Sequence, residues 1–280
     1  MLGPLFADQS IRTNFIKTIF DIGLHEGCDA AFYLKKGFRV VGVEANPELV
    51  REAKMRFAGE IARRQLILVD KAVSRKPDKR IPFYQRRDKN GWSSIYREAA
   101  ERDAEQSTVV DVETVSIGQL FEEHGIPYYL KGDIEGADAV LLEQIAGARK
   151  KPLYVSLEFD PGSDSLIDGL LKAGYSRFQL INQGHLRLFT PPNPSREGLY
   201  VSQCFHGKMS GLFGRELDPS HWVDERTIRR QWQTWQHIAA GGFTRPRRFF
   251  YKQYGKVTRK TWCIGSGWMD IHARLDSLST

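Results

Sequence analysis

Residues 19–47 read IFDIGLHEGCDAAFYLKKGFRVVGVEANP. An apolar run carries Asp21, a glycine-spaced turn and a helical pattern follow, and a second apolar run ends in Glu44. This order predicts a βαβ unit, whose first turn lies at the carboxyl edge of a parallel sheet, where ligands bind. Gly23 and Gly27 let the backbone turn sharply and approach a ligand closely, and the next helix presents free N–H groups. Glu44 lies about 20 residues beyond the turn, the spacing at which an acid meets ribose hydroxyls. An adenosine-containing ligand is expected.

The glycines choose which one. A pyrophosphate needs the compact GxGxxG cradle, and aligning its first glycine on Gly23 puts His25 and Cys28 where the other two belong. The chain has Asp21-x-Gly23-x-x-x-Gly27 instead, an acidic and looser turn. It suits a ligand with an ammonium group and no phosphate, S-adenosylmethionine and not a dinucleotide. Asp21 is placed to accept from, or sit near, the cationic amino-acid end.

Working outward, apolar periods predict strands at 18–22, 39–44, 65–69, 128–133, 153–159, 177–181 and 199–203, with helices at 29–36, 47–63, 137–146 and 163–173. Alternation of this kind argues for an α/β fold with a mostly parallel, doubly wound sheet covered on both faces. RIPFYQRR and TVVDVETVSIGQL add two shorter strand candidates, and TPPNPSREG reads as a loop. After Cys204 the pattern changes to a glycine-punctuated loop and a tryptophan-bearing helix at 224–240. Residues 1–203 are therefore expected to form the ligand-binding domain, and 204–280 a cap or extension packed on it.

The 280 residues, 41% apolar and 27% charged, are those of an ordinary globular protein, not a disordered one. No apolar run is long enough to span a bilayer and the N-terminus lacks a signal-peptide pattern, so a cytoplasmic protein without a membrane partner is expected. Cys28, Cys204 and Cys263 form no CxxC pair, which argues against a disulfide framework or a cysteine zinc site. The net charge is +7, and residues 245–260 hold Arg245, Arg247, Arg248, Lys252, Lys256, Arg259 and Lys260 with no acid, interleaved with aromatics. That mixture fits a nucleic-acid face, a solvated basic tail or an anion-facing cap.

DIGLHEGCDAAFYLKKGFRVVGVEANP together with YYLKGDIEGAD resembles the FkbM-type methyltransferases, a branch of the class I S-adenosylmethionine-dependent enzymes. The resemblance spans about residues 19–181. It implies the Rossmann-like, seven-stranded class I sheet, S-adenosylmethionine as donor, and O-methylation of a hydroxyl on a sugar, polyketide or similar metabolite.

Within that frame Asp70, Lys71 and Ala72 end the third strand, where class I enzymes contact adenine; a plain strand-exit acid is the alternative for Asp70. Asn46, in the E-A-N-P strand end, joins the donor-binding set. Ser93 and Ser94 follow a tight Asn90-Gly91 turn and either reach the donor or cap the next helix. Asp133 and Glu135 sit at the end of a central strand beside the expected methyl position. Asp133 is expected to bind the donor, with catalysis as a second role, since neighbouring carboxylates raise each other's pKa. Glu158 is a candidate base or a rim salt bridge; His185 and His206 are loop bases or surface residues; His25 faces substrate or braces its turn. No metal motif is present, so no metal is expected, although Asp133, Glu158 and Asp160 could converge.

The expected partner is a small-molecule hydroxyl acceptor. An Asp/Asn-Pro-Pro-aromatic motif, which an amine-directed nucleic-acid enzyme would carry, is replaced by Asp133-Ile134-Glu135-Gly136. An RNA ribose-directed enzyme using the basic segment and a non-catalytic nucleoside-binding protein remain the alternatives.

Overall fold

The computed structural model describes residues 17–159, 164–265 and 267–276. Asp160 lies outside them.

The strands are β1 Thr18–Ile22, β2 Arg39–Glu44, β3 Leu66–Asp70, β4 Ala72–Val73, β5 Arg80–Gln85, β6 Thr108–Val115, β7 Tyr129–Gly132, β8 Tyr154–Phe159, β9 Arg177–Asn182 and β10 Met269–Arg274. The helices are α1 Cys28–Lys35, α2 Pro47–Arg56, α3 Ala58–Ala62, α4 Arg97–Ala100, α5 Ile117–His124, α6 Asp138–Gly147, α7 Asp164–Lys172, α8 Glu225–Ala239 and α9 Arg245–Thr258. Seven strands form one sheet in the order β3-β2-β1-β7-β8-β10-β9, and β4-β6-β5 form a small second one. Pairings from β3 through β8 are parallel, whereas β10 runs antiparallel to both its neighbours. This is the doubly wound α/β architecture expected from the alternating pattern.

Inner strands buried on both faces must be apolar almost throughout, and Ile19, Phe20, Ile22, Val40, Val41 and Val43 are all buried. One core layer packs α5, α6, α7 and α8 on the sheet; Trp232 stacks on Trp235 at 5.0 Å and meets Phe159 at 4.2 Å. The other layer joins α1 to aromatic residues from beyond Cys204, with Phe213 stacked on Tyr129 at 5.1 Å.

The sequence reading differs from the structure at the seventh strand. Residues 199–203 have no strand structure; the seventh strand is β10, inserted between β8 and β9. The segment beyond 203 is thus woven into the sheet as well as laid over it. A buried ion pair fixes its course: Lys36, beyond the end of α1, donates to Glu216 Oε1 at 2.9 Å, to Ser195 Oγ and to the Leu199 carbonyl. The predicted helix at 47–63 is broken at Phe57 into α2 and α3.

Candidate active site

Strand order reverses between β1 and β7, and the turns after these two strands meet at the carboxyl edge. Gly23 has φ +86°, and a Cβ there would lie 1.9 Å from the Asp133 carbonyl oxygen, so handedness and close approach both demand glycine. Gly27, at φ +71°, leads into α1 with its Cα against the Phe57 ring. His25 between them also takes a left-handed conformation, φ +53°. Its main-chain N–H donates to Glu44 Oε2 at 2.7 Å, and its ring Nε2 lies 2.9 Å from Asn90 Oδ1. Glu44 accepts a second backbone N–H, that of Asn46, on Oε1 at 2.8 Å. Burial raises the pKa of Glu44 while these amides oppose the shift, and their geometry fixes the carboxylate plane.

At the other end of the same cleft a single buried ammonium serves several acids. Lys131 Nζ, on β7, lies 3.3 Å from Asp21 Oδ1, 3.6 Å from Asp133 Oδ2 and 3.8 Å from Asp29 Oδ2. Burial works against its charge, yet Asp21, Asp133 and Asp29 hold its pKa well above the usual lysine value. Burial pushes Asp21 up to about 7 and also raises Asp29, both against the pull of Lys131. Asp270, on β10, is raised well above the carboxylate range by burial and next by Asp133. It stands directly opposite Glu158 of β8 in the antiparallel register. Acids outnumber cations here, so the cleft favours a positively charged guest.

Asp133, Glu135 and Glu158 each bring a carboxylate oxygen within 4.8 Å of the others, a grouping able to hold a metal ion. Protein cations stand beside Glu135 and Asp133. Arg102 Nη1 lies 2.7 Å from Glu135 Oε2, and Lys131 neighbours Asp133.

These groups line one cavity of about 600 Å³, large enough for a nucleoside and a small acceptor together. Of the residues expected from sequence, Gly23, His25, Glu44, Lys71, Ala72, Ser93, Ser94, Asp133, Glu135 and Glu158 line it. Others do not. Asp21 lies fully buried beneath the turn, tied to Lys131, and Gly27 packs on Phe57 behind it. Asn46 is turned to capping α2, its Oδ1 accepting from Glu48 N and Gln85 Nε2. Asp70 points to solvent beside Lys54, leaving the strand exit to Lys71 and Ala72. His185 sits on a 3-10 turn after β9, outside the cavity wall, and His206 is exposed. Ser94 does not cap α4 directly, since Tyr96 is the N-cap residue; Ser94 Oγ donates to the Glu135 carbonyl at 2.7 Å and thereby joins the two walls.

Sequence reasoning passed over Asp29, Lys131, Gln183, Met209, Ser210, Trp268 and Asp270, which also line the cavity. Ser210 N donates to both Asp29 oxygens at 2.9 and 3.0 Å, and Lys208 grips Glu26 at 2.7 Å, so residues 207–210 close one wall. Residues 245–260, for which an anion-facing cap was one of the expectations, contribute nothing to it.

The model of the "Methyltransferase FkbM domain" matches residues 21–176, more than half of the chain. The chain belongs to the FkbM methyltransferase family. It is thus a methyltransferase dependent on S-adenosylmethionine. Solved structures similar to this FkbM protein include a TehB-like SAM-dependent methyltransferase from Corynebacterium glutamicum, at 13% identity, 59% coverage of this chain, 69% of that one and TM-score 0.34. A precorrin-6y C5,15-methyltransferase from Geobacter metallireducens matches at 13% identity, 68% and 75% coverage and TM-score 0.35. The StiE O-MT, residues 942–1257, matches at 10% identity, 94% and 69% coverage and TM-score 0.40. No curated protein matches. Among the described residues no helix is long and apolar enough to cross a membrane.

The residues fit the donor that the family uses. An acid-walled cavity repels a pyrophosphate, whereas it complements a ligand carrying ammonium and sulfonium charges. Glu44 lines the cavity with each carboxylate oxygen held by a backbone amide, which leaves it acceptor capacity for hydroxyl donors.

Proposed function

We propose that this FkbM methyltransferase transfers a methyl group from S-adenosylmethionine to a hydroxyl of a small metabolite such as a sugar or polyketide. The observation that carries the reading is the Glu158–Asp270 pair, two carboxylates opposed across β8 and β10 in the donor cavity. When bound, S-adenosylmethionine supplies an electrophilic methyl on a charged leaving group. Glu44 grips the ribose, while Asp133 and the Gly23 turn hold the amino-acid tail. Lys131, itself held by Asp29, steadies Asp133 from behind and offsets part of the acid charge.

Glu158 takes the acceptor's proton as the new bond forms. Burial, with Asp133 next, raises the Asp270 carboxyl well above the carboxylate range, which disfavours a second negative charge beside Glu158 and leaves Glu158 as the proton-accepting group. Residues 207–210 and Trp268 close over the acceptor side and exclude water. Alignment of the acceptor oxygen with the methyl contributes most of the acceleration.

The test is a screen of hydroxylated metabolites with methyl-labelled donor, followed by locating the label. Label on oxygen supports the reading; label only on nitrogen or carbon overturns it.

A further inference from the structure

Helix α9 presents its apolar side to solvent. Gly255 is its one buried residue, lying against Cys263 and Ile264, and Tyr251, one turn earlier, stacks on Phe243 at 5.4 Å. These positions define the face turned to the body. At about 100° per residue, the opposite face is formed by Pro246, Phe249, Phe250, Gln253 and Val257. Phe249, Phe250 and Val257 are 64%, 63% and 82% exposed. An outward stripe with three such exposed apolar side chains, broken only by Gln253, is not the usual surface of a helix docked on a globular body.

The charge around the stripe is equally unusual. Arg245, Lys252 and Lys256 run along one edge of the stripe and Arg247 along the other, with Arg248, Arg259 and Lys260 beyond. The chain's formal surplus is +7, and these seven cations, with no acid among residues 245–260, account for all of it. The rest of the chain is formally neutral. No ion pair engages any of the seven among the described residues; Arg247 rests on the Phe243 ring at 4.1 Å.

We propose that α9 lies on an anionic lipid surface, with Phe249, Phe250 and Val257 entering the headgroup–acyl boundary and the flanking cations meeting lipid phosphates and carboxylates. The helix is about 21 Å long, fit to lie on a bilayer and not to cross one. The apolar stripe selects lipid over RNA. An RNA face would turn its cations outward and use aromatic rings as stacking platforms, whereas Val257, the most exposed of the three, has no ring and gains only by leaving water.

The full chain is sedimented with vesicles of phosphatidylcholine alone or mixed with phosphatidylserine, and titrated in parallel with single-stranded RNA. Binding to the mixed vesicles, weakened by salt and absent with phosphatidylcholine alone, is expected. Combining Phe249→Ser, Phe250→Ser and Val257→Ser should weaken vesicle binding at least about tenfold with all cations retained. These side chains are exposed, so donor binding and circular dichroism of the variant should match the parent. Equal vesicle binding by the variant, no preference for phosphatidylserine, or tighter binding to RNA than to vesicles overturns the proposal.

Discussion

The carboxylate of Glu44 accepts the main-chain N–H of His25 at 2.7 Å, joining the end of β2 to the apex of the glycine turn. One acid thus holds the turn's shape and lines the cavity, where the proposed function sets the ribose. Glu44→Ala should weaken S-adenosylmethionine binding by about 1 to 3 kcal/mol, because a buried polar contact is lost with its partners left unpaired. Calorimetric titration measures it, and unchanged affinity would place the ribose elsewhere.

Asp138, in the first turn of α6, is buried with Oδ1 lacking a hydrogen-bond partner, and burial, with Asp133 next, pushes its pKa up to about 7. A raised folded-state pKa adds stability that is fully present below the unfolded value, about 4, and is lost as pH rises through about 7. Asp138→Asn removes this titration. Relative to the parent, the variant should gain about 2 to 4 kcal/mol between pH 4 and pH 7.5. Urea unfolding at both pH values checks this; a pH-independent difference would show that Asp138 ionises freely in the fold.

Glu158 and Asp270 oppose each other on β8 and β10, and their roles separate by kinetics. Glu158→Gln should lower kcat by roughly 10² to 10⁴, the usual loss on removing a general base, and leave donor affinity nearly unchanged. Asp270→Asn places an uncharged group of the same shape opposite Glu158 and should cost far less. A fall in donor affinity that matches the fall in kcat would assign Glu158 to binding instead.

Arg102 and Lys131 already lie against Glu135 and Asp133, so the three-carboxylate group is expected to work without a divalent ion. Turnover should survive excess EDTA. Loss of activity that magnesium or manganese restores would show that the group binds metal.

What was legible in the sequence is what local pattern encodes. Asp21-x-Gly23-x-x-x-Gly27 and Glu44 give the turn and the strand end, because a left-handed glycine and a strand-ending acid are set by neighbours in sequence. β10 escaped because it pairs with β8 and β9, about a hundred residues upstream, and leaves as its own trace only six residues alternating Met269, Ile271 and Ala273 with Asp270 and His272. With it went Asp270 and Trp268. Lys131 was visible as a lone cation in an apolar strand, the signature of a buried charge with partners, but those partners come from three different elements. Asp70 was misplaced for the converse reason: a strand end is a narrow target, and one residue's step turns a side chain from cleft to solvent; His185 was misplaced because the course of the 3-10 turn after β9 is set by tertiary packing.

The most direct measurement is a calorimetric comparison of S-adenosylmethionine, S-adenosylhomocysteine and NAD with the intact chain. The acid-walled cavity predicts one site that takes both sulfur nucleosides in competition and gives no heat with NAD. Saturable NAD binding, with neither sulfur nucleoside taken up, would contradict it.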